Sequence, residues 1–150
     1  MPEQLHSARG PGRILVAVYG VLALAATGRS ILQIVEYFER APLAYLLSAL
    51  AALVYIVATV GMARGDRAST RVALLACTVE LVGVLVVGAL SYAVPDAFPD
   101  KTVWSHFGSG YGFVPLVLPV VGLWWLSRTR TPLPHGGEPR TATPSADPDR

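Results

Sequence analysis

The sequence predicts an all-α, polytopic membrane protein: a bundle of four transmembrane helices with both termini cytoplasmic. Three observations predict it. Of 150 residues, 53% are hydrophobic and 15% charged, with a mean hydropathy of +0.49, far from the balance of an ordinary soluble domain. Segments 14–38, 42–63, 72–94 and 103–126 carry almost no charge, and each is long enough, at about 1.5 Å per residue, to cross roughly 30 Å of hydrocarbon. Basic residues collect in alternate connections, as the positive-inside rule requires. The strict alternation of a membrane β-barrel is missing.

Residues 1–13 form a basic cytoplasmic N-terminus that contains Arg9 and Arg13. Ala23-Leu24-Ala25 has the small-residue look of a signal-peptidase site, but the apolar pattern runs on through "ILQIVEYF", so the first segment reads as a retained span. Pro42 suits the first turn of the second helix, and the connection before it is short, so spans one and two should form a tight antiparallel hairpin. Arg64, Arg67 and Arg71 fill the "RGDRASTR" connection, against only Arg40 and Lys101 on the other side. That asymmetry puts both termini inside and "PDAFPDKT" outside, with the transmembrane domain covering residues 14–127 in the plasma membrane. Trp104 reads as an outer-interface anchor, Trp124 and Trp125 as inner ones. Residues 128–150, including "TPLPHGGEPRTATPSADPDR", have little apolar surface to bury and read as disordered cytoplasmic chain. The net charge of +2 suits a bilayer with anionic headgroups and calls for no nucleic acid.

The polar groups within the spans need explaining. Glu80 lies eight residues past Val72, about 12 Å above the inner boundary, where an ionisable group must be neutralised, paired or turned to a polar interior. Ala73, Ala76, Cys77, Gly83, Val84 and Val87 share its face, several of them small enough to admit a neighbouring helix. Arg29 is the natural partner, although it stands about 11 Å further out along the normal. Arg29, Gln33, Glu36 and Arg40 recur at helical spacing as one polar stripe. Tyr45, Ser48, Ala52, Tyr55 and Thr59 make a compatible row on helix two, and Ser105, His106 and Tyr111 lie near the outer end of helix four. Together they predict a partly polar cavity under the outer surface. The candidate intramembrane polar site is therefore Arg29, Gln33, Glu36, Glu80, His106 and Tyr111. No ligand spacing links His106 to Glu36, Glu39, Asp96 or Asp100, so no catalytic residue, metal site or cofactor is assigned. Cys77, the one cysteine, cannot form an internal disulfide and reads as packing.

"FGSGYGFVP" contains the Gly-Tyr-Gly of a potassium filter, but it lacks the preceding Thr-Val and the flanking pore segments. It reads instead as part of span four. Gly108, Gly112, Pro115, Pro119 and Gly122 then recur in steps of four and three as a helix-packing face, with the prolines inviting a bend.

On "TVWSHFGSGYGFVPLVLPVVGLWWLSR" and "GRSILQIVEYFERAPLAYLLSALAALVYIVAT", the chain resembles small four-helix integral membrane proteins of actinobacteria, a group of uncharacterised function. That resemblance implies a class and no catalytic residue. The size is also similar to that of small multidrug-resistance transporters, whose key glutamate lies in the first helix rather than the third. The first expectation is a non-enzymatic structural or accessory subunit that packs with itself, as a homo-oligomer, or with another membrane protein. The alternative is a small proton- or cation-coupled transporter or channel-like oligomer using Glu80. A membrane-embedded enzyme with an outer-facing site comes third.

Overall fold

The structure, a computed structural model, describes residues 10–129. Within these the chain is helical, with no strand. The first helix, α1, spans Gly10–Tyr37; α2 spans Pro42–Arg64; α3 spans Arg67–Ala93; α4 spans Val114–Arg128. The first three are long and apolar enough to cross a membrane, and a fourth span exists if α4 is taken together with the bent segment before it. Arg9, Arg130, Arg140 and most of the expected tail lie outside the described residues. Arg13 belongs to α1 and Arg128 to the last turn of α4.

Local chemistry explains the boundaries. A 3-10 turn at Phe38–Arg40 ends α1, and Ala41 is held extended at φ −152°, as the ring of a following proline demands. Pro42 then opens α2, where its missing N–H costs nothing. At the other end of α2, Gly65 adopts a left-handed φ of 70°, a geometry that glycine enters without steric cost. Asp66 caps α3 by accepting from the Ser69 amide at 3.1 Å and the Ser69 hydroxyl at 2.6 Å. That cap lets α3 start at Arg67, five residues before the boundary read from hydropathy at 72. Pro95 closes α3 by forcing Val94 out of helical geometry.

The helices pack in chain order, α1 on α2, α2 on α3 and α3 on α4, while α1 meets α4 sparingly. The α1–α4 contact is at the end of the bundle where α1 begins and α4 ends. There the Trp125 ring lies on Gly12, and Gly122 leaves room for the Tyr19 hydroxyl, Met62 and Cys77. Trp124 stays exposed at the same end, with the Arg128 guanidinium 4.3 Å from its ring, a cation–π contact typical of an exposed site.

The expected continuous helix over 103–126 does not form. Ser105–Tyr111 and Val114–Arg128 meet at 97°. His106, Phe107 and Gly108 take left-handed conformations, followed by Gly112 and Phe113. The cause is local. The Thr102 hydroxyl accepts from the amides of Trp104 and Ser105, and the Ser105 hydroxyl accepts from the Thr102 amide at 2.8 Å. Side chains that bond the backbone in this way compete with helix formation, and three glycines in the next seven residues add little helical preference. The expected packing line is therefore broken. Pro115, Pro119 and Gly122 do form the buried face of α4, but Gly108 and Gly112 are turn residues off that helix. Gly108 packs against the Pro115 ring, and Gly112 is exposed.

Trp104 is displaced from its expected role as well. Only 2% exposed, it is no interfacial anchor. The bend drives its ring inward onto Gly83, and Phe107 likewise covers Gly88. A Cβ at Gly83 would lie 2.7 Å from Trp104 Cζ3, so Gly83→Ala should cost about 1–3 kcal/mol through overpacking. Gly28→Ala, where nothing lies within 4 Å, should be neutral or gain up to about 1 kcal/mol from helix propensity. Thermal unfolding of the two variants in detergent checks the contrast.

The Asp66 carboxyl is held below its ordinary range by the Ser69 side chain first and the Ser69 amide second. A depressed folded pKa means that its stabilisation is fully present above the unfolded value, about 3.9, and is lost as pH falls through the folded one. The stability gap between the native chain and Asp66→Ala should therefore be constant from pH 7 to about pH 5 and shrink below pH 4. Unfolding midpoints measured across that range check it.

Candidate functional site

Glu80 sits at the centre of the bundle with no exposed surface, on the buried face of α3 formed by Ala73, Ala76, Cys77, Val84 and Val87. Its neighbours come from α1 and α2. The Tyr19 hydroxyl of α1 donates to Glu80 Oε2 at 2.8 Å, and the Tyr19 hydroxyl oxygen also lies 3.4 Å from Cys77 Sγ. Tyr55 of α2 stands beside Tyr19, the ring centroids 6.2 Å apart at 55°. A carboxyl in such surroundings needs hydrogen bonds in place of hydration, and Tyr19 supplies one.

Arg29 is not its partner. The guanidinium donates from Nη1 to the Tyr111 hydroxyl and from Nη2 to the Lys101 carbonyl, each at 3.1 Å. It also lies 5.9 Å from the Tyr111 ring centroid. The expected Glu80–Arg29 pair is thus replaced by two separate arrangements, because the long Arg29 side chain reaches outward to where the outer connection folds over α1. A second clasp lies beside it. Arg40 Nε is 3.4 Å from Asp100 Oδ2, and the Tyr45 hydroxyl donates to the same carboxylate oxygen. Arg29, Arg40 and Tyr45 in this way tie the connection between α3 and α4 down onto the α1–α2 hairpin.

The remaining expected residues scatter. Gln33 is half-buried with Oε1 unpartnered, and Glu36 is exposed. His106 occupies the left-handed turn; its amide donates to Ser91 Oγ at 2.8 Å, and its ring stands edge-on to Tyr92 at 4.6 Å. Of the six expected site residues, the structure joins Arg29 to Tyr111 and leaves Glu80 with a partner outside the set. Tyr45, Ser48, Ala52 and Tyr55 of the helix-two row are buried against neighbouring helices, and Ala52 also borders the groove between α1 and α2. Ser48 and Thr59 turn their hydroxyls onto carbonyls of their own helix.

Outside the bundle, the C-terminal half of α1 and the N-terminal half of α2 flank an open groove of about 330 Å³, lined by Thr27, Ser30, Ile34, Ala52, Leu53 and Ile56 among others. The hydroxyls of Thr27 and Ser30 are buried there without a partner. Among the described residues, no group of three or more His, Cys, Asp or Glu side chains is arranged to hold a metal ion.

Sequence reasoning missed Tyr19 as the partner of Glu80, and it gave Tyr55, Trp104 and Asp100 other places: a polar row, an interfacial anchor and a carboxylate with no partner. Comparison with protein-family models, curated proteins and solved structures gives no match for this chain. The site's chemistry therefore rests on its own geometry.

Tyr19→Phe should leave Glu80 Oε2 unpaired and weaken the α1–α3 contact by about 1–3 kcal/mol. Cys77, buried beside it, reports the opening: its alkylation should speed up by about 5- to 150-fold in Tyr19→Phe. Tyr111→Phe, at the outer end, should leave Cys77 alkylation near the native rate.

Proposed function

We propose that this chain is a non-enzymatic plasma-membrane protein that crosses the bilayer four times, with both termini cytoplasmic, and serves as a structural or accessory subunit packing with itself or with another membrane protein. The bent segment and α4 together make the fourth crossing. The positive-inside distribution of Arg13, Arg64, Arg67, Arg71 and Arg128 supports the orientation. This reading includes kinship with the small four-helix actinobacterial membrane proteins that the sequence resembles.

The observation that carries it is the open groove between α1 and α2. It is an apolar surface within the span region lined by the large Ile34, Leu53 and Ile56 and the small Ser30, Ala49 and Ala52. Small and hydroxylated residues at such a surface are the usual means by which membrane helices meet. The deep carboxyl faces inward, bonded to Tyr19, while Arg29 is held apart from it by Tyr111 and the Lys101 carbonyl. That leaves the coupled-transport reading without the connected polar path it needs.

In a Cys77→Ser background, Ala49→Cys or Leu53→Cys should crosslink in native membranes, to a second copy or to a heavier partner. The Glu80→Gln variant should keep both its fold and the crosslink, and proteoliposomes of either form should show no proton-linked flux. A monomeric, monodisperse protein that crosslinks to nothing would overturn the assembly reading. Flux lost specifically in Glu80→Gln would replace it with the transporter.

A further inference from the structure

The two ends of the bundle use their arginines differently. Arg29 and Arg40, where α1 ends, are engaged by the chain itself, through Tyr111, the Lys101 carbonyl and Asp100. At the opposite end stand Arg13, Arg64, Arg67, Arg71 and Arg128, all exposed. The close approaches of Gly12 to Trp125, of Gly61 to Ser69 and Ala73, and of Gly122 to Tyr19, Met62 and Cys77 bring the four helix ends that carry them to one side. Among the described residues the one ion pair joins Arg40 to Asp100, so none of these five guanidiniums is paired within the chain. The single carboxylate described at this end, Asp66, is engaged in capping α3 through Ser69.

Helix stability does not account for this collar. A cation suits the C-terminus of a helix and opposes its N-terminus. Arg64 and Arg128 sit in the last turns of α2 and α4, but Arg13 and Arg67 sit in the first turns of α1 and α3, with no acidic residue there to offset them. What the arginines share is their surroundings. On each helix an exposed apolar residue shares a face with one of them at helical spacing: Val21 with Arg13, Val60 with Arg64, Leu75 with Arg71 and Trp124 with Arg128. A nucleic acid or an acidic protein would use the cations and leave the apolar rows idle. An amphiphile with an anionic head uses both, its phosphate on the guanidinium and its acyl chain along the row.

Arg128 is the best prepared of the five. Its guanidinium lies 4.3 Å from the Trp124 ring centroid. A guanidinium resting over an indole keeps its N–H donors open and loses less freedom when they grip a phosphate bidentately. We propose that this end of the bundle binds membrane phospholipids with an anionic headgroup, with Arg128 and Trp124 as the tightest site. The inference rests on the chain spanning a bilayer. It can fail while the assembly reading survives, because crosslinking through the α1–α2 groove involves none of these residues.

The full chain in bilayers that mix phosphatidylglycerol with phosphatidylcholine tests it. The dibrominated form of either lipid quenches the exposed Trp124, and comparing the two gives their relative affinity beside that ring. Phosphatidylglycerol should be favoured by about fivefold at about 0.15 M salt. Arg128→Gln should bring the two lipids close to parity, while Arg40→Gln, the same charge change at the other end, should leave the preference intact. Equal affinity of the native chain for both lipids, or a preference that Arg128→Gln does not reduce, would overturn the proposal. Relief of the phosphatidylglycerol quenching by dissolved glycerol phosphate or polyglutamate would also overturn it, by assigning the surface to a soluble anion.

Discussion

A carboxyl buried in the middle of a bundle of apolar helices constrains everything around it. Glu80 stands far from both ends of a 27-residue helix, where the absence of solvent turns each unpaired oxygen into a liability. The fold answers by enclosing it. Tyr19 of α1 bonds the carboxyl directly, Tyr55 of α2 stands beside Tyr19, and Trp104 of the folded connection rests on Gly83, one turn further along α3. Small residues make the convergence feasible: Ala73, Ala76 and Cys77 bring the neighbouring helices close, and Gly83 admits the Trp104 ring.

The outer connection follows from the same requirement. A straight fourth helix would carry Trp104 outward to the interface and leave the space over Gly83 unfilled. The side-chain bonds between Thr102 and Ser105 and the left-handed run from His106 to Gly108 turn the chain back on itself instead. Left-handed geometry at His106, Phe107 and Phe113 is costly for residues other than glycine. Packing of Trp104 and Phe107 into glycine-lined sites on α3 offsets that cost. Arg29 and Asp100 then pin the turned segment to the hairpin from above. The helix left after the bend has 15 residues, about 22 Å, too short to cross roughly 30 Å alone.

Much of this was legible in the sequence. Hydropathy and length located the three long helices to within about five residues, and Pro42 marked the start of the second. The periodicity through Ala73, Ala76, Cys77 and Glu80 identified the buried face of α3 correctly. Glu80 was singled out, but its partner was misassigned because charge complementarity was weighed above depth. Counted from the inner boundary, Tyr19 lies at about 8 Å, Glu80 at about 12 Å and Arg29 at about 23 Å, so depth alone favoured the tyrosine. The bend was misread for a different reason. Gly108, Gly112 and Pro115 fit both a packing stripe and a broken chain, and spacing cannot separate the two. The deciding signal was the Thr102-x-x-Ser105 pair, whose bonds to the backbone become visible only in three dimensions.

The account stands or falls on Glu80 being satisfied by tyrosine within the bundle rather than by arginine near the surface. Two double-mutant cycles decide it most directly, one pairing Tyr19→Phe with Glu80→Gln and the other pairing Arg29→Gln with Glu80→Gln, both read by unfolding free energy in the same detergent. The structure requires an interaction energy of about 0.5–3 kcal/mol in the first cycle and one within about 0.5 kcal/mol of zero in the second. The opposite pattern, with strong coupling to Arg29 and none to Tyr19, would contradict it.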